Sequence, residues 1–276
     1  MRRWLALGLV LIVASATAAP APLRIVSLAP NLTEIAFAAG AGNAIVGTVE
    51  YSDYPAAARA LPRVGDAWRV DMERVLALHP DLVLVWPSGT PDAVIEQLRR
   101  LGLKVESVPT YRLSDVPAAL RRIGALAGSA PLAEQAAVAF ERDLATLRAS
   151  HAGSAPLTVF IEIDDDPVYT VNGEHIISEV VQLCGGRNVF AKLPQIAPPV
   201  TLESVLELDP QVIVTTDDTI ADPLAQWARW PRLRAVRAKT IYSLPSDLVA
   251  RATPRLAQGV RSTCAALDDA RRKLAR

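Results

Sequence analysis

Histidine is scarce in this chain, three in 276 residues, and methionine and cysteine number only two each. His79, His151 and His175 lie far apart in the sequence. A site for bare zinc or manganese needs several histidines and carboxylates converging on one point, so no metal ligands are expected. Surplus charge is missing too: 29 basic residues face 29 acidic ones. Nucleic acid requires a basic face and is therefore not an expected partner. Beyond the N-terminus no apolar run reaches the length of a membrane span, so the mature chain is expected to be soluble. GxSxG, HExxH, GxxxxGK[ST] and a strand-following GxGxxG are all absent. The common hydrolase, metalloprotease, nucleotide and dinucleotide signatures are thus excluded, and the chain is not expected to be an enzyme. The acidic run Asp164 to Asp166 reads as a solvated turn.

What is present begins with an address. Arg2 and Arg3 precede an apolar run from Trp4 to Val13, and Ala16-Thr17-Ala18 forms a small-residue cleavage site. Residues 1–19 are expected to be a secretory signal peptide, cleaved to leave a protein free in the periplasm. No cysteine stands at the cleavage site to carry a lipid anchor. Cys184 and Cys264 would both enter an oxidising compartment, where a disulfide is the default. They form no CxxC and have no adjacent histidine, which argues against a metal or redox role.

The chain also writes the same words twice. "ERVLALHPDLVLV" from Glu73 returns as "ESVLELDPQVIVT" from Glu203, 130 residues later. "TEIAFAAGAGN" from Thr33 returns as "SEVVQLCGGRN" from Ser178, an offset of 145, with Glu, Gly and Asn in register. "LKVESVP" ending at Pro109 returns as "TIYSLP" ending at Pro245. Three matches in one order mean two copies of one unit.

Each copy reads as alternating strand and helix. "RIVSLA", "DLVLVW", "TVFIEI" and "QVIVTT" are apolar, β-branched runs too short for helices, as buried parallel strands should be. Asn31-Leu-Thr33 is expected to open the first helix, and "AVIEQLRRLG" is a helix stopped by Gly102. Between the copies, "PLAEQAAVAFERDLATLRASHAG" is rich in helix formers, with Ala136, Phe140, Leu144 and Leu147 as its apolar stripe. The fold class is therefore α/β: two parallel-sheet, Rossmann-like lobes joined by one long α-helix. The expected divisions are residues 23–129, a linker helix at 130–152, and residues 155–276. Two lobes on one helix leave a cleft between them, where ligands are most often held.

An exported chain of this plan resembles the class III periplasmic substrate-binding proteins, receptors for ABC importers of cobalamin, haem, siderophores, zinc and manganese. "SLAPNLTEIAFAAGAGNAIVG", "YSDYP", "LPRVGD", "MERVLALHPDLVLVW", "CGGRNVF" and "SDLVARATPRL" resemble the cobalamin (vitamin B12) receptors of that family, over about Leu23 to Leu267. The resemblance implies capture of cobalamin or a related corrinoid, without a cofactor, by a monomer. It also implies delivery to the permease dimer of an ABC importer with its ATPase subunits. A receptor for haem or a ferric siderophore is the alternative within the same fold. The resemblance further makes Glu73 and Glu203 the permease-docking residues, one per lobe. The residues themselves leave that open. Each follows a capping candidate, Asp71 or Thr201, and a first-turn glutamate suits the helix dipole without any partner.

Candidate ligand contacts follow from the strand ends and from the resemblance. The two offsets differ by fifteen residues, so the first copy carries an insert, "YSDYPAAARALPRVGDAW". Tyr51 and Trp68 lie in it, with Tyr54 less favoured, and Trp86 ends the next strand. Ligands bind outside the carboxyl ends of parallel strands, and aromatic faces with polar tips suit a broad ring bearing amides. By resemblance, Tyr169, Asp247 and Arg251 border the ligand from the second lobe. Asp247 could equally serve as a helix N-cap. The chain departs from the cobalamin receptors at "AKLPQIAPPV", which lacks their tryptophan, and at Leu248 and Val249, where they carry aromatics. The second wall is expected to be aliphatic. Trp227 and Trp230 read as structural.

Overall fold

A computed structural model describes residues 23–66, 68–216 and 223–276, with the backbone alone at Leu224. The expected signal peptide, residues 1–19, lies outside the described residues.

The first lobe runs β1 (Ile25–Ser27), α1 (Pro30–Ala38), β2 (Ile45–Thr48), α2 (Met72–Ala77), β3 (Leu82–Val85), α3 (Asp92–Arg100), β4 (Val105–Ser107) and α4 (Asp115–Ala127). Helix α5 (Ala130–His151) follows. The second lobe runs β5 (Leu157–Glu162), β6 (Asp164–Asp165), β7 (Val168–Tyr169), α6 (Ile176–Leu183), β8 (Gly186–Asn188), α7 (Leu202–Leu208), β9 (Val212–Thr215), α8 (Pro223–Trp227), α9 (Arg234–Ala238), β10 (Ile241–Ser243), α10 (Ser246–Val249) and α11 (Leu256–Leu274). Each lobe has a four-stranded parallel sheet, ordered β2-β1-β3-β4 in the first and β10-β9-β5-β8 in the second. The orders are the same once the repeats are superposed, with β1, β2, β3 and β4 matching β5, β8, β9 and β10.

The repeat extends to backbone conformation. His79 and Asp209, 130 residues apart, are both left-handed, with φ of 44° and 40°. Each ends the helix before its matched strand and precedes a proline. Gly40 and Gly185 match in the same way, with φ of 80° and 76° after the first helix of each lobe. A side chain other than glycine would be strained there.

Alternation along the strands sorts the core. Leu82 and Leu84 of β3, Val159 and Ile161 of β5, and Val212 and Val214 of β9 face one shared cluster that includes residues of both lobes. Val83 and Val85 face a separate cluster outside the first sheet, and Phe160 and Ile213 face another outside the second. The shared cluster forms around α5, whose buried stripe is Ala133, Ala137, Phe140 and Leu144. The expected Ala136 and Leu147 flank that stripe, partly buried against the same core. At about 1.5–3 kcal/mol for each large apolar side chain removed from water, this one face couples the two lobes energetically.

One boundary departs from expectation. Helix α1 begins at Pro30, with Ala29 as its N-cap, and Asn31 and Thr33 lie inside it. Their side chains look like caps in sequence but serve tertiary contacts: Asn31 Nδ2 donates to Thr110 Oγ1 at 2.9 Å, and Thr33 Oγ1 lies 2.7 Å from Thr48 Oγ1. Proline at the first helical positions needs no donor and starts the helix instead.

Cys184, ending α6, is bonded to Cys264 in α11 across 80 residues of sequence. A loop of that length stabilises the fold by roughly 4 kcal/mol in the chain-entropy model. Replacing both cysteines with serine should therefore lower Tm by about 10 °C, measured by calorimetry under oxidising conditions.

Candidate functional site in the interlobe cleft

The carboxyl ends of the strands open onto one cavity of about 770 Å³ between the lobes. The first lobe contributes Pro30 and Asn31 after β1, Trp86 and Ser88 after β3, and Thr110 to Arg112 after β4. The second contributes Glu174 to Ile176 at the start of α6, Ile196, and residues from Ser246 to Ala252 after β10.

Trp86 is the aromatic floor on the first-lobe side. Its ring packs on Gly89, where an added Cβ would stand 2.5 Å from the indole. Its Nε1 is buried with no hydrogen-bond partner among the described residues. Tyr111 adds a half-exposed ring. Its loop is fixed by Asp115, whose Oδ2 accepts the backbone N–H groups of Tyr111 at 2.7 Å and Arg112 at 2.9 Å. Opposite, the apolar contacts are aliphatic and not aromatic, through Ile176, Ile196, Ala250 and Ala252, set among Glu174, His175, Ser246, Asp247 and Arg251. Ile196 is held in place because its carbonyl accepts the Asn172 N–H at 2.9 Å.

Charge in the cleft is answered locally. Arg251 bonds Asp247 at 2.6 Å on its own side and Asp53 of the first lobe at 3.1 Å. Burial pushes the Asp53 carboxyl up, but hydrogen bonds from Arg251 and the backbone, with the charges of Arg251 and Arg255, hold it below its ordinary value. Asp247 lies in the first turn of α10 and is not its N-cap, which is Pro245. His175 caps α6, its Nδ1 accepting the Ile177 N–H at 3.2 Å. Burial lowers its pKa from 6.5 to about 4, so the ring is neutral near pH 7. With Nδ1 accepting, the ring proton sits on Nε2.

Of the six expected contacts, Trp86, Asp247 and Arg251 come together on the cavity, whereas Tyr51, Trp68 and Tyr169 are not among its lining residues. Tyr51 stands in a left-handed turn after β2 and is 78 % exposed. Trp68 is 73 % exposed, in a turn held by Asp66 Oδ1, which accepts the Trp68 and Arg69 N–H groups at 2.8 and 2.7 Å. Tyr169 lies in the β6-β7 hairpin and bridges Pro199. Tyr111, Arg112 and His175 line the cavity although the sequence reading does not single them out. Trp86 directly follows β3, whereas Tyr111 stands four residues beyond the end of β4, so the strand-end signal that marks Trp86 does not mark Tyr111. Trp227 is buried and donates to Glu162 Oε2 at 3.0 Å. Among the described residues no group of three His, Cys, Asp or Glu side chains could hold a metal ion.

Glu73 and Glu203 are both exposed, in the first turns of α2 and α7. The caps are those expected: Asp71 accepts the Arg74 N–H and Thr201 the Ser204 N–H. Neither glutamate has an ion-pair partner among the described residues.

A family model described as periplasmic binding protein matches residues 25–248. The chain belongs to the periplasmic binding protein family. A vitamin B12-binding protein of Vibrio cholerae is 36% identical over 273 residues, 98% of this chain and 99% of that one. Its counterpart in Photorhabdus laumondii is 33% identical over 249 residues, 90% of this chain and 89% of the other. The crystal structure of the periplasmic vitamin B12 binding protein BtuF of Vibrio cholerae superposes with a TM-score of 0.84, at 36% identity, covering 90% of this chain and 97% of that one. The periplasmic heme-binding protein BhuT, solved with two hemes, shares the fold with a TM-score of 0.82, at 24% identity and 91% and 99% coverage. Periplasmic binding proteins carry solutes for ABC transport, and this member of the family is a binding protein, not an enzyme.

The histidine in the cleft gives a pH test. As pH falls from 6.5 towards 4, the unfolded chain takes up the His175 proton before the folded protein does. Stability is therefore lost across that window, by on the order of 3 kcal/mol. Between pH 7 and pH 4.5 the Tm of the native protein should fall by several degrees more than that of a His175→Gln variant.

Proposed function

We propose that this periplasmic binding protein captures cobalamin or a related corrinoid in the interlobe cleft and hands it to an ABC importer. The carrying observation is the composition of the cavity: the aromatic rings of Trp86 and Tyr111 on one side, aliphatic and polar side chains opposite, and balanced charge. Two arginines, Arg112 and Arg251, and two acidic residues, Glu174 and Asp247, line it, so its formal charges cancel. A broad ring with neutral amide arms suits such a site. An anionic siderophore or the propionates of haem would favour a surplus of arginine. The near full-length likeness to vitamin B12-binding proteins supports the same reading. His175 does not favour haem, since an imidazole with its proton on Nε2 offers that nitrogen as a donor and not as an iron ligand.

In this reading Trp86, Asp247 and Arg251 contact the ligand, and the exposed rings of Tyr51 and Trp68, with Tyr169, extend the contact set. Residues 1–19 direct export and are cleaved, leaving a monomer divided at 23–129, 130–152 and 155–276. Glu73 and Glu203 meet the permease dimer, which works with its ATPase subunits. A two-lobed repeat can dock on a twofold-symmetric dimer when each lobe offers the same contact.

Isothermal titration of the mature protein with cyanocobalamin, hemin and a ferric siderophore tests the ligand. One-to-one binding of cyanocobalamin is expected, weakened at least tenfold by Trp86→Ala. Binding of hemin or siderophore alone would overturn the ligand assignment. Docking is tested separately. The Glu73→Ala, Glu203→Ala double variant should keep its ligand affinity and lose uptake in transport vesicles. Reduced affinity, or uptake at the native rate, would sink that assignment.

A further inference from the structure

Glu73 and Glu203 are not the only matched glutamates. Glu34 of α1 and Glu179 of α6 hold the same place in the two copies, 145 residues apart, and the proposed function uses neither. Each reaches out of its own lobe. The Glu34 side chain, 2% exposed, accepts Nε of Arg255 at 2.9 Å and Nη2 at 2.7 Å, and Arg255 stands at the start of α11 in the second lobe. Glu179 Oε2 accepts the backbone N–H of Leu113 at 2.9 Å, just before α4 of the first lobe. The duplication has thus produced two crossings of the interlobe boundary that run in opposite directions.

The Arg255 crossing is built for distance and angle. Its two parallel bonds are of the fork-on-fork kind, which fixes the plane of the guanidinium as well as its position. The guanidinium carbon also lies 4.0 Å from the centroid of the Tyr54 ring, another first-lobe residue. Separating the partners would leave a buried carboxylate unanswered, so the pair resists opening. Apolar packing around α5 lacks that directionality and tolerates small slides. Arg255 follows Arg251 and Asp247 on one short stretch of chain, and both of those line the cavity. Movement of Arg255 relative to α1 therefore moves the second-lobe wall.

We propose that the Glu34–Arg255 pair, doubled by Glu179 and the Leu113 N–H, is an interlobe brace that sets the width of the ligand cleft. Glu34 and Arg255 are positioning residues: they act on the ligand through the spacing of the two walls.

Pulsed electron–electron spin resonance on the ligand-free mature protein tests the brace without reference to any ligand. Labels are placed at exposed Leu101 in the first lobe and Arg237 in the second, through engineered ketone-bearing residues that leave the disulfide intact. The native protein should give one narrow interlobe distance, and a broad or two-peaked native distribution would overturn the proposal by itself. Glu34→Gln and Arg255→Met should at least double the width of the distribution, with Arg255→Lys in between because it keeps the charge and loses the fork. Glu34→Gln keeps the side-chain volume and decides the matter alone where Arg255→Met does not fold. Native widths in variants whose circular dichroism matches the native protein would also overturn it.

Discussion

One helix packed on both lobes at once governs this molecule. The buried stripe of α5 belongs to the same apolar cluster as the inner faces of both sheets. A helix of 22 residues, about 30 Å long, makes its own backbone hydrogen bonds throughout and has no soft joint in its middle. The lobes can shift only by compliance at its ends or by slight sliding of packed faces. Arg261 of α11 adds a tether at 3.1 Å to Asp143 near the middle of α5. The cleft is therefore preformed, and its polar crossings refine a geometry that the apolar core already approximates.

Duplication separates what the two lobes share from what each adds. Strand order, inward and outward alternation, and the left-handed positions at His79 and Asp209 are common to both lobes. These are properties of the core and its helix ends. The lobes differ in the segment between β2 and α2 and in the β6-β7 hairpin between β5 and α6. Both follow the carboxyl end of a strand. In a parallel sheet every such end points to one edge, so insertions there leave either core undisturbed, and the first of them reaches the cavity lining only through the bond of Asp53 to Arg251.

Much of this was legible in the sequence because it rests on short-range patterns. Short continuous apolar runs marked β3 and β9, and repeated words marked the two lobes. Other features depend on partners that a sequence does not reveal. Asn31 looks like a cap and instead bonds Thr110, 79 residues away. Tyr51 and Trp68 sit in an aromatic insert that reads as a wall. Yet a left-handed residue at Tyr51 and an Asp66-held turn at Trp68 leave both rings largely exposed. His175 was obscured differently: histidine is an uncommon cap, and its role came from a ring nitrogen meeting the Ile177 N–H.

The polar groups of the cavity divide into fixed and unfixed. Arg251 is held between Asp53 and Asp247, whose carboxylates are well exposed to water, so these ion pairs add little net stability. His175 is committed to the start of α6. The Trp86 indole is different, because packing against Gly89 holds the ring and no acceptor holds its N–H. An unsatisfied buried donor destabilises its own rotamer by about 1–3 kcal/mol. A ligand carbonyl that reached this N–H would break no existing hydrogen bond and would recover part of that cost. With the brace proposed above, the cleft would pair walls of one spacing with one fixed aromatic donor left unpaired, a combination that suits a rigid ring carrying amides at its edge.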